Sequence, residues 1–245
     1  MRVLLSGASG VIGRALADMV ERDSACSLAA EASRDAFFPS NVAGDVLIDF
    51  SHPALTERSI ALAEQLSIPA VIGTTGLTER CQQRIAEAAR RIPVCVAANF
   101  SIGVNLMLAL AARAARDLPA SFDIEIAEIH HRRKLDAPSG TALALGEALA
   151  LARKGSWPDS AVMDRSVRRE PRPAGEIGVQ AARGGDVAGE HTVYFLGDGE
   201  RLEISHRATD CSIFARGALL AAKKLVGRPP GQVDFQSLVL ASESS

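Results

Sequence analysis

The chain has 245 residues, 47% of them hydrophobic, with 27 basic against 29 acidic side chains and a net charge of -2. That content supports one large domain or two modest ones, and the near-neutral balance excludes a global field that would recruit nucleic acid or an anionic membrane. No apolar run approaches the roughly 18 residues of a membrane helix, and Cys26, Cys81, Cys95 and Cys211 show neither C-x-x-C pairing nor metal-ligand spacing; with Val3-Leu4-Leu5 meeting Gly7 where a secretory leader would run on, the expectation is a reducing cytoplasm and no metal.

In chain order, residues 2–6 read as a short apolar strand, followed by Gly7-Ala8-Ser9-Gly10-Val11-Ile12-Gly13 and an amphipathic helix over 11–21. A strand, glycine turn and helix let the backbone approach a pyrophosphate, whose charge meets the unpaired N–H groups of the helix start. The spacing is G-x-x-G-x-x-G, not the commoner G-x-G-x-x-G, and close strand–helix packing alone would also call for glycines. Position at the N-terminus, between the right elements, favours dinucleotide binding.

A second strand at 27–32 ends in Ser33-Arg34, where an NAD-selective site carries an acid about 20 residues past the glycines. Arg34 can pair with a 2′-phosphate and Ser33 can donate to it, which leans toward NADPH, while Glu31 keeps NADH open. An exposed loop arginine is the plainer alternative. Residues 46–51, 68–72 and 94–97 read as buried strands, with helices over 53–66 and 78–91 between them. These strands end in Phe50-Ser51, Gly73-Thr74-Thr75-Gly76 and Ala98-Asn99-Phe100-Ser101, at the carboxyl edge where open parallel sheets bind ligands. Together they outline a cofactor crevice, with the 73–76 backbone suited to the amide of a nicotinamide.

After a helix over 105–116 the pattern changes to longer strands at 122–129, 177–182, 191–196 and 201–208, with antiparallel hairpins expected, so a domain boundary falls near Ser101. A helix over 212–226 returns to the first domain. Between the strand at 122–129 and a helix from Thr141 lies Glu128-Ile129-His130-His131-Arg132-Arg133-Lys134-Leu135-Asp136-Ala137-Pro138-Ser139-Gly140-Thr141. One of His130 and His131 can act as a general acid, since an imidazole titrates near neutrality and the neighbouring cations lower its pKa. Lys134 suits a carboxylate or a developing negative charge. Ser139-Gly140-Thr141 can bind a second carboxylate with hydroxyls and N–H groups, with Ser139 or Thr141 as the cap. A small dicarboxylate fits best. The plainer alternative is a basic surface turn whose histidines are satisfied by Glu125 or Glu128; His52, His191 and His206 read as turn and strand residues.

The run from Glu128 to Ala142 resembles the signature of the 4-hydroxy-tetrahydrodipicolinate reductase (dihydrodipicolinate reductase) family. Gly7 to Gly13, Asp49-Phe50-Ser51, Gly73 to Gly76, Ala98 to Ser101 and Gly189-Glu190-His191-Thr192 follow in the family's order. The resemblance implies an α/β protein: a Rossmann-type dinucleotide-binding domain (1–101 and 212–245) and an inserted mixed α/β domain (102–211) with a largely antiparallel sheet, which binds substrate and forms a homotetramer. It implies His130 as general acid beside Lys134, substrate contacts at His131, Ser139, Gly140 and Thr141, and a pyrophosphate turn at Gly7, Ser9, Gly10, Val11, Ile12 and Gly13. Ser33, Arg34 and Phe50 join the cofactor contacts, and Gly73, Thr75, Ala98, Asn99 and Phe100 lie where the family holds the nicotinamide. The implied reaction is NAD(P)H-dependent reduction in lysine and diaminopimelate synthesis. One departure is Asp210-Cys211-Ser212, where some relatives carry an arginine near the substrate. The rival readings are a two-domain NAD(P)-dependent oxidoreductase acting on another small carboxylate and a non-catalytic nucleotide sensor. Retention of His130, Lys134 and 139–141 argues against both.

Overall fold

Val3, Leu4 and Leu5 are fully buried because β1 (Arg2–Ser6) lies inside a sheet covered on both faces in the computed structural model, which describes residues 1–166 and 168–240. The chain divides into two units, one formed by Met1–Ile102 with the chain from Cys211 onward, the other by Gly103–Asp210. In the first, β1 leads through the glycine turn into α1 (Val11–Arg22), β2 (Ser27–Ala32), β3 (Val46–Asp49), α2 (Pro53–Leu66), β4 (Ala70–Ile72), α3 (Glu79–Ala88) and β5 (Pro93–Val96). The second unit holds most of α4 (Ile102–Asp117), then β6 (Asp123–His130), α5 (Gly140–Ala152), β7 (Ala161–Val162), β8 (Ile177–Arg183), β9 (Gly189–Gly197) and β10 (Glu200–Ala208). The chain then re-enters the first unit with α6 (Ser212–Leu225), β11 (Gly231–Val233) and α7 (Phe235–Val239).

The first unit's sheet has the order β11-β5-β4-β3-β1-β2 and every pairing is parallel. Its strands are near-continuous apolar runs because helices cover both faces. Val3 and Leu5 point into a core with Leu16, Val20, Ala218, Ala222, Phe100 and Phe235. Leu4 points the other way, into Leu47, Ile60, Cys81 and Ile85. β1 pairs with β2 on one edge and β3 on the other, so the turn after β1 and the end of β3 flank the point where strand order reverses, the usual ligand crevice of such sheets. β11 and α7 carry no sequence signal of their own, being three and five residues long.

The second unit's sheet runs β10-β9-β6-β8-β7. β9 is antiparallel to β6 and β10, as expected, while β8 is parallel to β6 and β7, so the sheet is mixed. The reason is the connection: β6 reaches β8 through α5 and a long loop, enough chain for a parallel crossover. On one face Met107, Ala111 and Ala115 of α4 and Leu145 and Leu149 of α5 pack on Ile124, Ile126, Val179, Val193 and Phe195. Period-two alternation along β6 puts Glu128 and His130 on that same covered face. Arg165 and Arg172 of the loop before β8 pair with Glu125 of β6 at 2.9 and 3.3 Å.

Candidate functional site

In the first unit the glycines answer to backbone geometry. Gly7 sits at φ +86°, and a Cβ there would lie 2.2 Å from the Phe50 carbonyl oxygen; one on Gly13 would lie 2.1 Å from the Gly7 carbonyl oxygen. Gly7 N–H and Ala8 N–H both donate to the Ala32 carbonyl, at 2.9 and 3.2 Å, which fixes the turn against the end of β2. The N-cap of α1 is Gly10, so no side chain caps the helix and Val11, 66% exposed, begins it. An uncapped helix start with bare backbone in front of it suits a phosphate.

Gly7, Ser9, Gly10, Arg34 and Phe50 line one cavity of about 420 Å³ with Ser51 and His52. Ser33 lies in a neighbouring cavity with Ser9, Arg14 and Glu31. Ile12 packs on the core, and Gly13 is buried beneath the turn. Gly73 touches the Phe50 ring, which a Cβ would meet at 2.3 Å; Phe50 leans on Phe100 with centroids 5.5 Å apart. Thr75 and Ala98 are exposed and Asn99 accepts the Ser101 N–H at 2.8 Å. The Phe100 ring is buried in the core, so any cofactor contact from it is through backbone. Beneath these residues, Asp49 Oδ1 accepts Ser51 Oγ at 2.8 Å, Thr56 Oγ1 at 3.1 Å and Thr74 Oγ1 at 2.5 Å, bracing the ends of β3 and β4. The residues present fit a dinucleotide: close-approach glycines, an uncapped helix start and an open cavity with one arginine.

In the second unit a carboxylate is the hub. Glu128 is 1% exposed, and its Oε2 meets His130 Nδ1 at 2.5 Å. Its Oε1 accepts the Ser139 N–H at 3.0 Å. Arg183, at the end of β8, donates to both oxygens at 2.8 Å. Ser139 caps α5 by accepting the Ala142 N–H at 3.2 Å, and its hydroxyl also meets His191 Nε2 at 3.0 Å. The His130 and His191 rings stand edge to face, 5.1 Å apart. Glu128, His130 and His191 bring donor atoms within 4.8 Å of one another, but both Glu128 oxygens are committed to Arg183, so the cluster reads as a hydrogen-bond network.

Burial pushes His130 below the usual imidazole range; Glu128 opposes that, and Lys134 and Arg183 reinforce it. Burial alone would raise the Glu128 carboxyl, yet Arg183, His130 and the Ser139 N–H together hold it below its ordinary value. His191 is pushed down to about 4 by burial, with His130 adding to it. Lys134 pairs with Asp136 at 2.8 Å in the turn after β6. The His131 Nδ1 is buried with no partner among the described residues. Gly140 opens α5 with nothing within 4 Å of where a Cβ would stand, and Thr141 follows it, partly exposed. His130, Lys134, Ser139, Gly140 and Thr141 are thus gathered around one short turn. Arg183 is not marked in sequence, and His191 reads there only as a strand residue of the run Gly189-Glu190-His191-Thr192, because a loop arginine and a strand histidine carry no local sign of a site.

A parallel sheet whose crossing point is lined by close-approach glycines, joined in sequence to a unit built on a buried imidazole–carboxylate–guanidinium cluster, defines an oxidoreductase of the dinucleotide-fold class. Residues 1–100 match the family description "Dihydrodipicolinate reductase, N-terminus" and residues 103–239 "Dihydrodipicolinate reductase, C-terminus", and the chain belongs to that family. It is 44% identical over 242 residues to a protein of Akkermansia muciniphila named 4-hydroxy-tetrahydrodipicolinate reductase, covering 98% of both chains. It is 40% identical, again covering 98% of each, to one of Thiobacillus denitrificans with the same name. Among solved structures, a dipicolinate-bound dihydrodipicolinate reductase from Paenisporosarcina sp. TG-14 shares the fold with a TM-score of 0.78 at 24% identity, covering 98% of this chain and 99% of that one.

Proposed function

We propose that this chain reduces 4-hydroxy-tetrahydrodipicolinate to tetrahydrodipicolinate with NADPH or NADH, a step of lysine and diaminopimelate synthesis. The observation that carries the reading is the buried His130 ring, held through Nδ1 by Glu128 beside Lys134 and the start of α5. The names of the relatives support the substrate. The hydroxy-imine loses water to give the unsaturated ring, and one hydride plus one proton then reduce it. When bound in the cavity beside Gly7, Ser9, Gly10, Arg34 and Phe50, the nicotinamide cofactor supplies the hydride.

The protein's own residues do the rest. Glu128 occupies Nδ1, so His130 delivers its proton from Nε2, and its lowered affinity for that proton makes it a better acid. Lys134 steadies one carboxylate or the negative charge that develops on the ring. Gly140 and Thr141, at the start of α5, hold the second carboxylate with backbone and hydroxyl donors, and Ser139 sets the helix start by capping it. His131 lies beside them as a further substrate contact. Arg34 favours NADPH through the 2′-phosphate. The sheet face opposite α4 and α5 leaves Ile129 and Leu196 partly exposed, 39% and 37%, which suits cover by other copies in a homotetramer. Four free thiols fit a reducing cytoplasm.

The test is cofactor oxidation by the purified chain with the freshly generated aspartate semialdehyde–pyruvate condensation product. Oxidation that requires this product is expected; no turnover while the cofactor is shown to bind overturns the assignment.

A further inference from the structure

Glu128 and His130 sit two residues apart on one face of β6, and Arg183 stands opposite His130 in the parallel register with β8. The Arg183 fork reaches both Glu128 oxygens at 2.8 Å, and it also donates to the Asp136 carbonyl at 2.6 Å and the Ala182 carbonyl at 2.7 Å. Glu128 in turn receives the Ser139 N–H that opens α5. One carboxylate therefore ties the ring of His130 to β8, to the turn that carries Lys134 and to the helix start. From β9 comes Gly189, where a Cβ would lie 2.9 Å from His130 Nε2, so a glycine is what lets the strand pass this close to the ring.

Glu128 is buried and Arg183 partly exposed, and an ion pair that takes a carboxylate out of water only for stability has little to recommend it, since the desolvation offsets much of the attraction and well-packed apolar side chains serve as well. A planar bidentate pair does something apolar side chains cannot: it fixes the plane and position of the carboxylate, and hence of the ring bonded to it.

We propose that Glu128 and Arg183 are positioning residues for the reduction: Arg183 holds the Glu128 carboxylate in a two-bond fork, and that carboxylate holds His130 by Nδ1, leaving Nε2 as the nitrogen that transfers the proton. This rests on the reading of His130 as the proton donor given above. The charged and titratable groups around the ring are Glu128 from β6, Arg183 from β8, His191 from β9 and Lys134 from the turn, itself paired with Asp136. Glu128 favours the charged imidazole, and Arg183 and Lys134 oppose it. The two partners therefore pull His130 in opposite directions.

The experiment is an NMR titration of the His130 imidazole in the full chain, assigned by loss of its signal in His130→Gln, together with the pH profile of kcat/KM. Both are compared across wild type, Glu128→Gln, Arg183→Met and the double variant. A general acid works while protonated, so activity falls as pH rises through its titration. Glu128→Gln should move both the imidazole titration and the alkaline limb to lower pH, and lower kcat roughly tenfold or more with KM within about threefold. Arg183→Met should move both to higher pH. The double variant leaves no buried charge without its partner, so it tests the claim even if a single variant fails to fold, and its titration should fall between those of the two single changes. An imidazole titration that does not move in folded variants overturns the positioning role. A titration that moves while the activity limb stays fixed overturns the assignment of His130 as proton donor, and with it the positioning role that rests on that assignment.

Discussion

The Ser139 hydroxyl and His191 Nε2 meet at 3.0 Å, joining the cap of α5 to β9 across 52 residues of sequence. His191 is 4% exposed, and its Nδ1 has no partner among the described residues. A charged ring is therefore disfavoured there.

Acid stability follows from that burial. His191 is held at about 4 against a free value of 6.5. As pH falls through that window the unfolded chain takes up a proton that the folded chain refuses, so stability is present above about pH 6.5 and is lost toward pH 4, by about 3 kcal/mol. His130 and His206, also lowered by burial, act in the same direction. Thermal unfolding between pH 7 and 4 measures this. The acid-side loss should be smaller in His191→Gln; an equal loss in that variant removes His191 from the explanation.

Gly7→Ala forces an L-residue to φ +86° and drives a Cβ to 2.2 Å from the Phe50 carbonyl. Backbone strain alone costs roughly 1–2 kcal/mol, with the contact in addition. A fall in Tm together with weaker cofactor binding is expected, measured by thermal unfolding with and without NADPH. Full stability and unchanged affinity would show that the turn relaxes freely.

Cofactor choice rests on Arg34, which lines the same cavity as Gly7, Ser9 and Gly10. Charge-assisted hydrogen bonds contribute about 1.5–3 kcal/mol, so Arg34→Ala should weaken NADPH binding by about 10- to 100-fold and leave NADH nearly unchanged. Titration calorimetry with both cofactors decides it. Equal losses for the two would take Arg34 away from the 2′-phosphate.

Much of the first unit is legible in sequence because β1 to β5 are short, largely apolar and followed within a few residues by Gly, Ser or Asn, and because the glycine turn joins β1 directly to α1. The turn at 198–199 between β9 and β10, with Gly199 at φ +80°, is equally local. The parallel pairing of β6 with β8 is not local, since it depends on where 46 intervening residues from His131 to Glu176 lead the chain. The site divides the same way. His130, Lys134 and 139–141 lie in one run with a recognisable pattern. Arg183 and His191 reach the cluster only through sheet register, and Glu128 reads in sequence as a simple partner for a histidine until both its oxygens are seen to be held by Arg183.

Lys134→Ala removes the cation beside the substrate turn and leaves the hydrogen bonds of Glu128 in place, because its own ion pair is with Asp136. KM should rise and kcat should fall together, with thermal stability changed little, since a partly exposed surface pair contributes at most about 1 kcal/mol. A change in KM alone would confine Lys134 to binding.

The most direct measurement for the role of His130 is steady-state kinetics of His130→Gln with saturating cofactor. The chemistry assigned to the ring predicts a fall in kcat of about 10²- to 10⁴-fold, with cofactor affinity unchanged and KM altered little. A kcat equal to wild type would contradict it and move the proton transfer to His131.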